Sequence, residues 1–203
     1  VSVVEDRKHR LAQERLADVT SRKLAALIFA LDDPEADDAI ERYAPLAARV
    51  VAGGQHRSAR FSIAYLAASA PPVTGKSPPS LTRALDGVLV TPESAVARSP
   101  VLRLKARLAD GDELPVARQS AASYAQGLAT GDLQAAERGG LDEAARASGK
   151  KVRGWRKVLS SDACPWCVTI ASDESGRYHS ADSVPFHARD HCSVAPVFEK
   201  GES

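Results

Sequence analysis

Residues 114–149 read LPVARQSAASYAQGLATGDLQAAERGGLDEAARASG, and no other stretch says as much about the architecture. Leu114-Pro115 is a helix start, because proline is tolerated in the first turn, where its missing N–H has no partner to lose. Ala117, Ala121, Tyr124 and Leu128 then recur at spacings of three and four, one face of a helix. Gly131-Asp132 reads as the start of a further helix carrying Leu133, Ala136 and Ala144, and Gly149 is placed to end it in the left-handed conformation that glycine adopts freely. Just upstream, Ser99-Pro100 offers a cap followed by proline, with Val101, Leu104 and Leu108 on one face. Short, alanine-lined helices joined by tight turns predict antiparallel helical hairpins.

The same period extends toward the N-terminus. Between Glu5 and Leu31, the residues Leu16, Val19, Leu24, Leu27, Ile28 and Leu31 fall at helical spacings with charges between them. Asp33-Pro34 resembles a second helix start, followed by the stripe Ala36, Ile40, Tyr43, Ala47 and Val50. Pro45 lies inside that stripe and predicts a kink or a split. Gly53-Gly54 loosens the chain before Phe61, Ala64, Tyr65 and Ala68 suggest another turn or two. Pro71 to Ser80 holds four prolines and reads as an extended connector. Inside it Thr74-Gly75-Lys76-Ser77 matches the end of a phosphate-binding loop, but Ala70 stands where the first glycine is needed and prolines follow instead of a helix.

Composition agrees with a folded helical chain. Hydrophobic residues make up 44% and charged residues 26% of the 203, which excludes wholesale disorder. A net charge of +1 does not mark a generic nucleic-acid binder, so any basic surface must come from local clustering. Two clusters stand out: Arg98, Arg103, Lys105 and Arg107, and Arg146, Lys150, Lys151, Arg153, Arg156 and Lys157. A solvated face accounts for such runs; the functional alternative is contact with phosphates or an acidic partner, with Lys150, Lys151, Arg153, Arg156 and Lys157 as the candidate contacts. No eighteen apolar residues run together, so no membrane span is expected. Charge appears by Glu5, so no apolar leader is read in Val1–Arg10 and a soluble, cytoplasmically made protein is expected.

The composition changes after Gly149. Gly154 to Ser161, with Trp155, Val158 and Leu159, reads as a strand. Cys164-Pro165-Trp166-Cys167 follows, and then His187-Ala188-Arg189-Asp190-His191-Cys192. All three cysteines and three of the five histidines lie in the last forty residues. Two cysteines separated by two residues form a knuckle that supplies two corners of a tetrahedral zinc site, and Cys192 is the natural third ligand. His187, five residues before Cys192, can loop round as the fourth; His191 and Asp190 remain alternatives. So few large apolar groups in the last fifty residues would need such a staple, and a site closed by four protein ligands leaves no position for hydrolytic chemistry. Two other readings stand beside zinc: a Cys-x-x-Cys redox pair, which wants a long helix in a βαβ setting, and three buried cysteines with no metal.

Four segments, Gly154-Trp155-Arg156-Lys157-Val158-Leu159, Cys164-Pro165-Trp166-Cys167, Phe186-His187 through Cys192, and Ala195-Pro196-Val197-Phe198, resemble the C-terminal signature of MuF-like phage head morphogenesis proteins, in versions carried by phages of actinobacteria. The family pattern is a helical body, a Cys-x-x-Cys element, and a His-x-x-Cys-x-Cys element followed by Pro-Val. His187 stands at the family histidine and Cys192 at its last cysteine, while the middle cysteine falls on Asp190. The resemblance implies a minor capsid protein with a structural role; with zinc read from the cysteines and histidine as a staple and no catalytic motif in the sequence, no enzymatic activity is expected. It would sit inside the head near the portal after assembly in the host cytoplasm. Its partners would be portal, capsid or scaffold proteins and packaged DNA, with no membrane and no small-molecule substrate.

Rival readings are a zinc-stabilised nucleic-acid-binding module, a capsid maturation protease and a thiol oxidoreductase. The protease reading has only His56 near Ser58, and proximity in sequence does not supply catalytic geometry. The expected fold is therefore mainly α, an elongated helical body of short antiparallel helices with a small zinc-knuckle or ribbon-like α+β module. The expected divisions are an N-terminal helical region (1–70), a proline-rich connector (71–80), a helical hairpin region (81–150) and a cysteine/histidine module (151–203).

Overall fold

The computed structural model describes residues 3–70, 74–160, 163–172, 178–181, 183–186 and 192–199, and among them the protein is mainly helical with one small antiparallel sheet. The helices are α1 (Val3–Phe29), α2 (Ala39–Ser69), the single turn α3 (Leu81–Ala84), α4 (Ala95–Ala109), α5 (Leu114–Ser148) and α6 (Pro165–Ser172). The strands are β1 (Val152–Val158) and β2 (Ser193–Phe198). Helix α5 packs against α1, α2, α3 and α4.

The expectation of short helices is corrected by α5, which runs unbroken for 35 residues through Gly131-Asp132 and Gly139-Gly140. Its buried face simply continues, from Ala129 and Leu133 to Ala136, Gly140 and Leu141. Tertiary burial outweighs a helix-interior penalty of about 1 kcal/mol per glycine. Two of those glycines are close approaches, not breaks. A Cβ on Gly139 would stand 2.0 Å from the Ala84 carbonyl oxygen, and one on Gly140 would stand 2.5 Å from that of Ala59. The sequence's true stop is Gly149, at φ 68°.

Helix α2 likewise passes through Pro45 and Gly53-Gly54 without splitting. Pro45 and Glu41 are both on the exposed face, so the carbonyl that proline deprives of a helical donor lies on the solvent side. Asp33 does accept from the N–H groups of Glu35 and Ala36, each at 3.2 Å, but it caps a separate turn and α2 begins only at Ala39. Helix α4 begins at Ala95, five residues before the expected Pro100, whose ring is buried among Val96, Ala97, Val101 and Leu104. Its apolar fit in the core compensates for the lost ladder bond.

Alanine sets the spacing of the main core. Ala117, Ala121, Ala125 and Ala129 of α5 are fully buried against Leu24 and Ile28 of α1, Tyr43, Ala47 and Val51 of α2, and Val101 and Leu104 of α4. Small side chains at every fourth position let helix axes approach closely. Regions 1–70 and 81–150 therefore share one core. Burial pushes the Tyr43 hydroxyl pKa upward.

Polar cross-links hold the bundle in register. Gln55, wholly buried in α2, donates to the carbonyls of Val88 at 2.6 Å and Asp132 at 3.3 Å and accepts from the Val90 N–H at 2.9 Å. Asp132 itself faces a cleft of about 390 Å³ between α5 and residues 87–96, and burial pushes its carboxyl up to about 6. An acid raised above its unfolded pKa is a cost at neutral pH, a cost that disappears as pH falls through the folded value toward the unfolded one. Asp132→Asn should stabilise the protein at pH 7 by about 1 kcal/mol once partial solvent access is discounted. Urea titrations at a series of pH values should show the gain shrinking below pH 6 and vanishing near 4, where both states of the wild type are protonated.

The sheet is a two-stranded antiparallel pair with Trp155 opposite Pro196 and a bulge between Val152 and Gly154. Trp155 directs its N–H and C=O away from β2, to the carbonyl and N–H of Tyr178 at 2.8 and 3.1 Å. Trp155 and Pro196 are thus a non-hydrogen-bonded pair, where a residue without an N–H costs the ladder nothing. The module does not stand apart from the helices: Trp155, Val184 and Val194 form one apolar cluster with Tyr65 and Leu66 of α2 and Leu141 and Ala144 of α5.

Candidate metal centre and basic surface

Cys164 occupies the residue before α6, and its Sγ accepts from the Cys167 N–H at 3.5 Å. Pro165 takes the first helical position, where no N–H is needed. The motif thus opens a helix, with the Cys164 sulfur folded over its first turn. Cys167 is buried, and Trp166 and Val168 beside it are exposed.

Cys192 lies just before β2 and is buried. Its Sγ accepts from the Ser160 N–H at 3.4 Å and lies 3.7 Å from the Ser160 hydroxyl. Ser160 follows the end of β1, and the register that sets Val158 opposite Ser193 brings the two together. The Ala163 N–H donates to the Ser160 carbonyl at 3.3 Å, which keeps the start of α6 near the end of β1. On its other side Cys192 borders a void of about 20 Å³ lined by Gln13, Glu14, Thr130 and Glu137, room for about one water.

All three cysteines are thiols, not disulfides. Among the described residues, no three His, Cys, Asp or Glu side chains form a metal-holding group. The candidate fourth ligands His187, His191 and Asp190 lie outside the described residues. His179 is an exposed loop residue. His56 and Ser58 point to different surroundings: His56 is exposed, while Ser58 is buried with its Oγ 2.8 Å from Gln13 Oε1 and 2.9 Å from the Leu133 carbonyl.

The basic run 150–157 is largely turned to intramolecular use. Arg156 pairs with Asp6, Lys151 lies 2.8 Å from Glu199, and Lys150 sits over the Phe198 ring at 5.7 Å. Lys157 is buried. Its Nζ donates to the Pro185 carbonyl at 2.6 Å and lies over Phe186 at 4.4 Å and Trp166 at 5.2 Å. A cation between two aromatic faces in a desolvated setting is worth about 1–2 kcal/mol. Arg153 is exposed. In the other run Arg107 pairs with Asp112 at 2.5 Å, Lys105 donates to the carbonyl of Ala36 at 2.7 Å, and Arg103 lies over Tyr124 at 5.3 Å. The inward role of Lys157 was readable in principle, because strand alternation puts it on the face of Trp155. Nothing in the sequence pointed to Ser160.

A buried polar network joins this module to the helices. The Asp6 carboxylate accepts from both Arg156 and the Tyr65 hydroxyl. His9 stacks on Tyr65 with ring centroids 4.3 Å apart and meets Glu137 through Nε2 at 3.1 Å. Burial, with the Asp6 hydrogen bond second, drives the Tyr65 pKa upward, keeping the phenol protonated as a donor. Breaking a buried pair of this kind leaves a polar group without compensation, so the network fixes how β1 docks on α1, α2 and α5.

No protein family, curated protein or solved structure matches this chain. Among the described residues no helix is long and apolar enough to cross a membrane.

Proposed function

We propose that the protein is a structural head component of a tailed phage, of the MuF-like kind. It would associate with the portal and the capsid interior during head assembly and DNA packaging or delivery. The observation that carries this reading is the convergence of the signature segments on one small module. Gly154-Trp155-Arg156-Lys157-Val158 pairs with Ala195-Pro196-Val197-Phe198 as β1 and β2, Cys164-Pro165-Trp166-Cys167 heads α6, and Cys192 opens β2 beside the end of β1.

Zinc is part of the proposal. Cys164, Cys167 and Cys192 form no three-ligand group among the described residues, so zinc is proposed from their spacing, with the sulfurs of Cys164 and Cys192 each accepting a backbone N–H as thiolate ligands do. Cys164, Cys167 and Cys192 would hold the ion with one of His187, His191 or Asp190, and the closed site would supply folding free energy. The protein's own residues then make a rigid knob. Lys157 ties β1 to the Pro185–Phe186 segment, and the Asp6–Arg156 pair ties it to α1.

Retention on the immobilised portal protein of the same particle, at moderate salt and with the full chain, is the direct test. Saturable capture that survives physiological salt is the expected result. Absence of capture with both native portal and procapsids would overturn the virion reading.

A further inference from the structure

Between α1 and α2 runs a cleft of about 220 Å³ whose walls are Val19, Thr20, Lys23, Arg49, Val50, Gly53, Gly54 and Arg57. Three of those residues are exposed cations and none is an acid. Among the described residues Lys23, Arg49 and Arg57 have no ion-pair partner, in contrast to Arg107, Lys151 and Arg156. The nearest acid along α1, Asp18, is paired with Arg22 at 2.6 Å. Net charge conceals this surface. From Tyr43 to Ser69 the sequence contains no Asp or Glu, while Arg49, His56, Arg57 and Arg60 recur on the exposed side of α2. Arg49 and Arg60 are about 16 Å apart along the helix axis.

Gly53 adds an independent sign. It lies inside a helix, where glycine costs about 1 kcal/mol relative to alanine. A Cβ there would meet nothing within 4 Å, so packing does not require its absence. Gly54 does have a packing reason, since its Cβ would stand 2.7 Å from Leu133. Glycine without a packing reason, on the wall of a cationic cleft, leaves the backbone open to close approach by a ligand.

We infer that this cleft is a phosphate-binding site, with Lys23, Arg49 and Arg57 receiving the phosphodiester backbone of a nucleic acid and Arg60 extending the track. A row of cations about 16 Å long suits a polyanion better than a single ion, and guanidinium groups bind phosphate oxygens through paired N–H donors. The inference goes beyond the virion reading and does not depend on the cysteine module, so either can fail alone.

The test is binding of the full chain to a short mixed-sequence DNA duplex, followed by fluorescence anisotropy over a range of salt. Arg49→Gln/Arg57→Gln should weaken binding about tenfold or more and make the log–log salt slope shallower by about two, one for each lost phosphate contact. Arg49→Lys/Arg57→Lys should keep most of the affinity, and Arg7→Gln/Lys76→Gln, exposed cations outside the cleft, should match the wild type. Equal loss in the remote pair, or no loss in the cleft pair, overturns the assignment. Binding of inorganic pyrophosphate at the cleft without any duplex binding overturns the nucleic-acid source. Unchanged unfolding midpoints in all variants establish that the comparison concerns charge and not folding.

Discussion

Gly140→Ala is expected to lower the thermal midpoint by about 4–8 °C, a net loss of about 2 kcal/mol for a chain of this size. The new methyl carbon would stand 2.5 Å from the Ala59 carbonyl oxygen, 2.9 Å from the Ala59 Cα and 2.9 Å from the Ser62 Cβ. None of these atoms belongs to a side chain that can swing aside, so α2 and α5 must move apart. Overpacking of that kind costs about 1–3 kcal/mol, and this contact lies at the severe end; the better helix propensity of alanine returns up to about 1 kcal/mol. Gly53→Ala is the matched control. It makes the same chemical change in a helix interior with nothing within 4 Å, and it should raise the midpoint slightly. If both variants behave alike, the close crossing of α2 and α5 is wrong.

Withdrawal of the proposed zinc should have the other large effect. Purified protein is expected to carry about one zinc per chain, as a single closed site requires. Chelation should lower the midpoint by about 10 °C or more, because a structural zinc is worth on the order of 10 kcal/mol in isolated modules and part of that is folding free energy here. Trp155, only 3% exposed, should shift its emission to the red as β1 detaches, and zinc should restore it. Cys164→Ser should reproduce the chelated state. Most helical circular dichroism should survive at room temperature, since the larger core of α1, α2, α4 and α5 contains no module residue. The helices should nonetheless melt earlier, because Leu66 and Leu141 lose their cover from Trp155 and Val194. A chain that binds no zinc and is indifferent to chelators would refute the staple.

Much of the helical content was legible because burial follows the 3.6-residue period. Leu16, Leu24, Ile28 and Leu31 are buried as their spacing predicts, while Val19 of the same stripe remains 37% exposed. Gly149 and the strand beginning near Gly154 were legible for local reasons, a left-handed cap and a cluster of β-formers. Helix continuity was not. Pro45, Gly53-Gly54, Pro100 and Gly131 read as interruptions, yet solvent lies beside Pro45, Leu133 lies against Gly54 and a core surrounds Pro100. A Cβ on Gly131 would meet nothing within 4 Å, and the helix passes through it because its buried face continues on either side. Helix α6, which Cys164-Pro165-Trp166-Cys167 opens, was not read from the motif's spacing, and the meeting of Cys192 with Ser160 depends on strand register between segments some thirty residues apart. The basic cleft of Lys23, Arg49 and Arg57 went unread because its cations are dispersed in sequence and converge only when α1 lies along α2.

Pro196 has a consequence for how copies of this protein meet. At a non-hydrogen-bonded position its ring nitrogen is directed to the outer side of β2, where a third strand would seek a donor and find none. On the opposite side of the sheet Tyr178 already occupies the backbone of Trp155. The ribbon is therefore a poor template for edge-to-edge growth, and crowding at high local concentration should not drive it into fibres through this sheet.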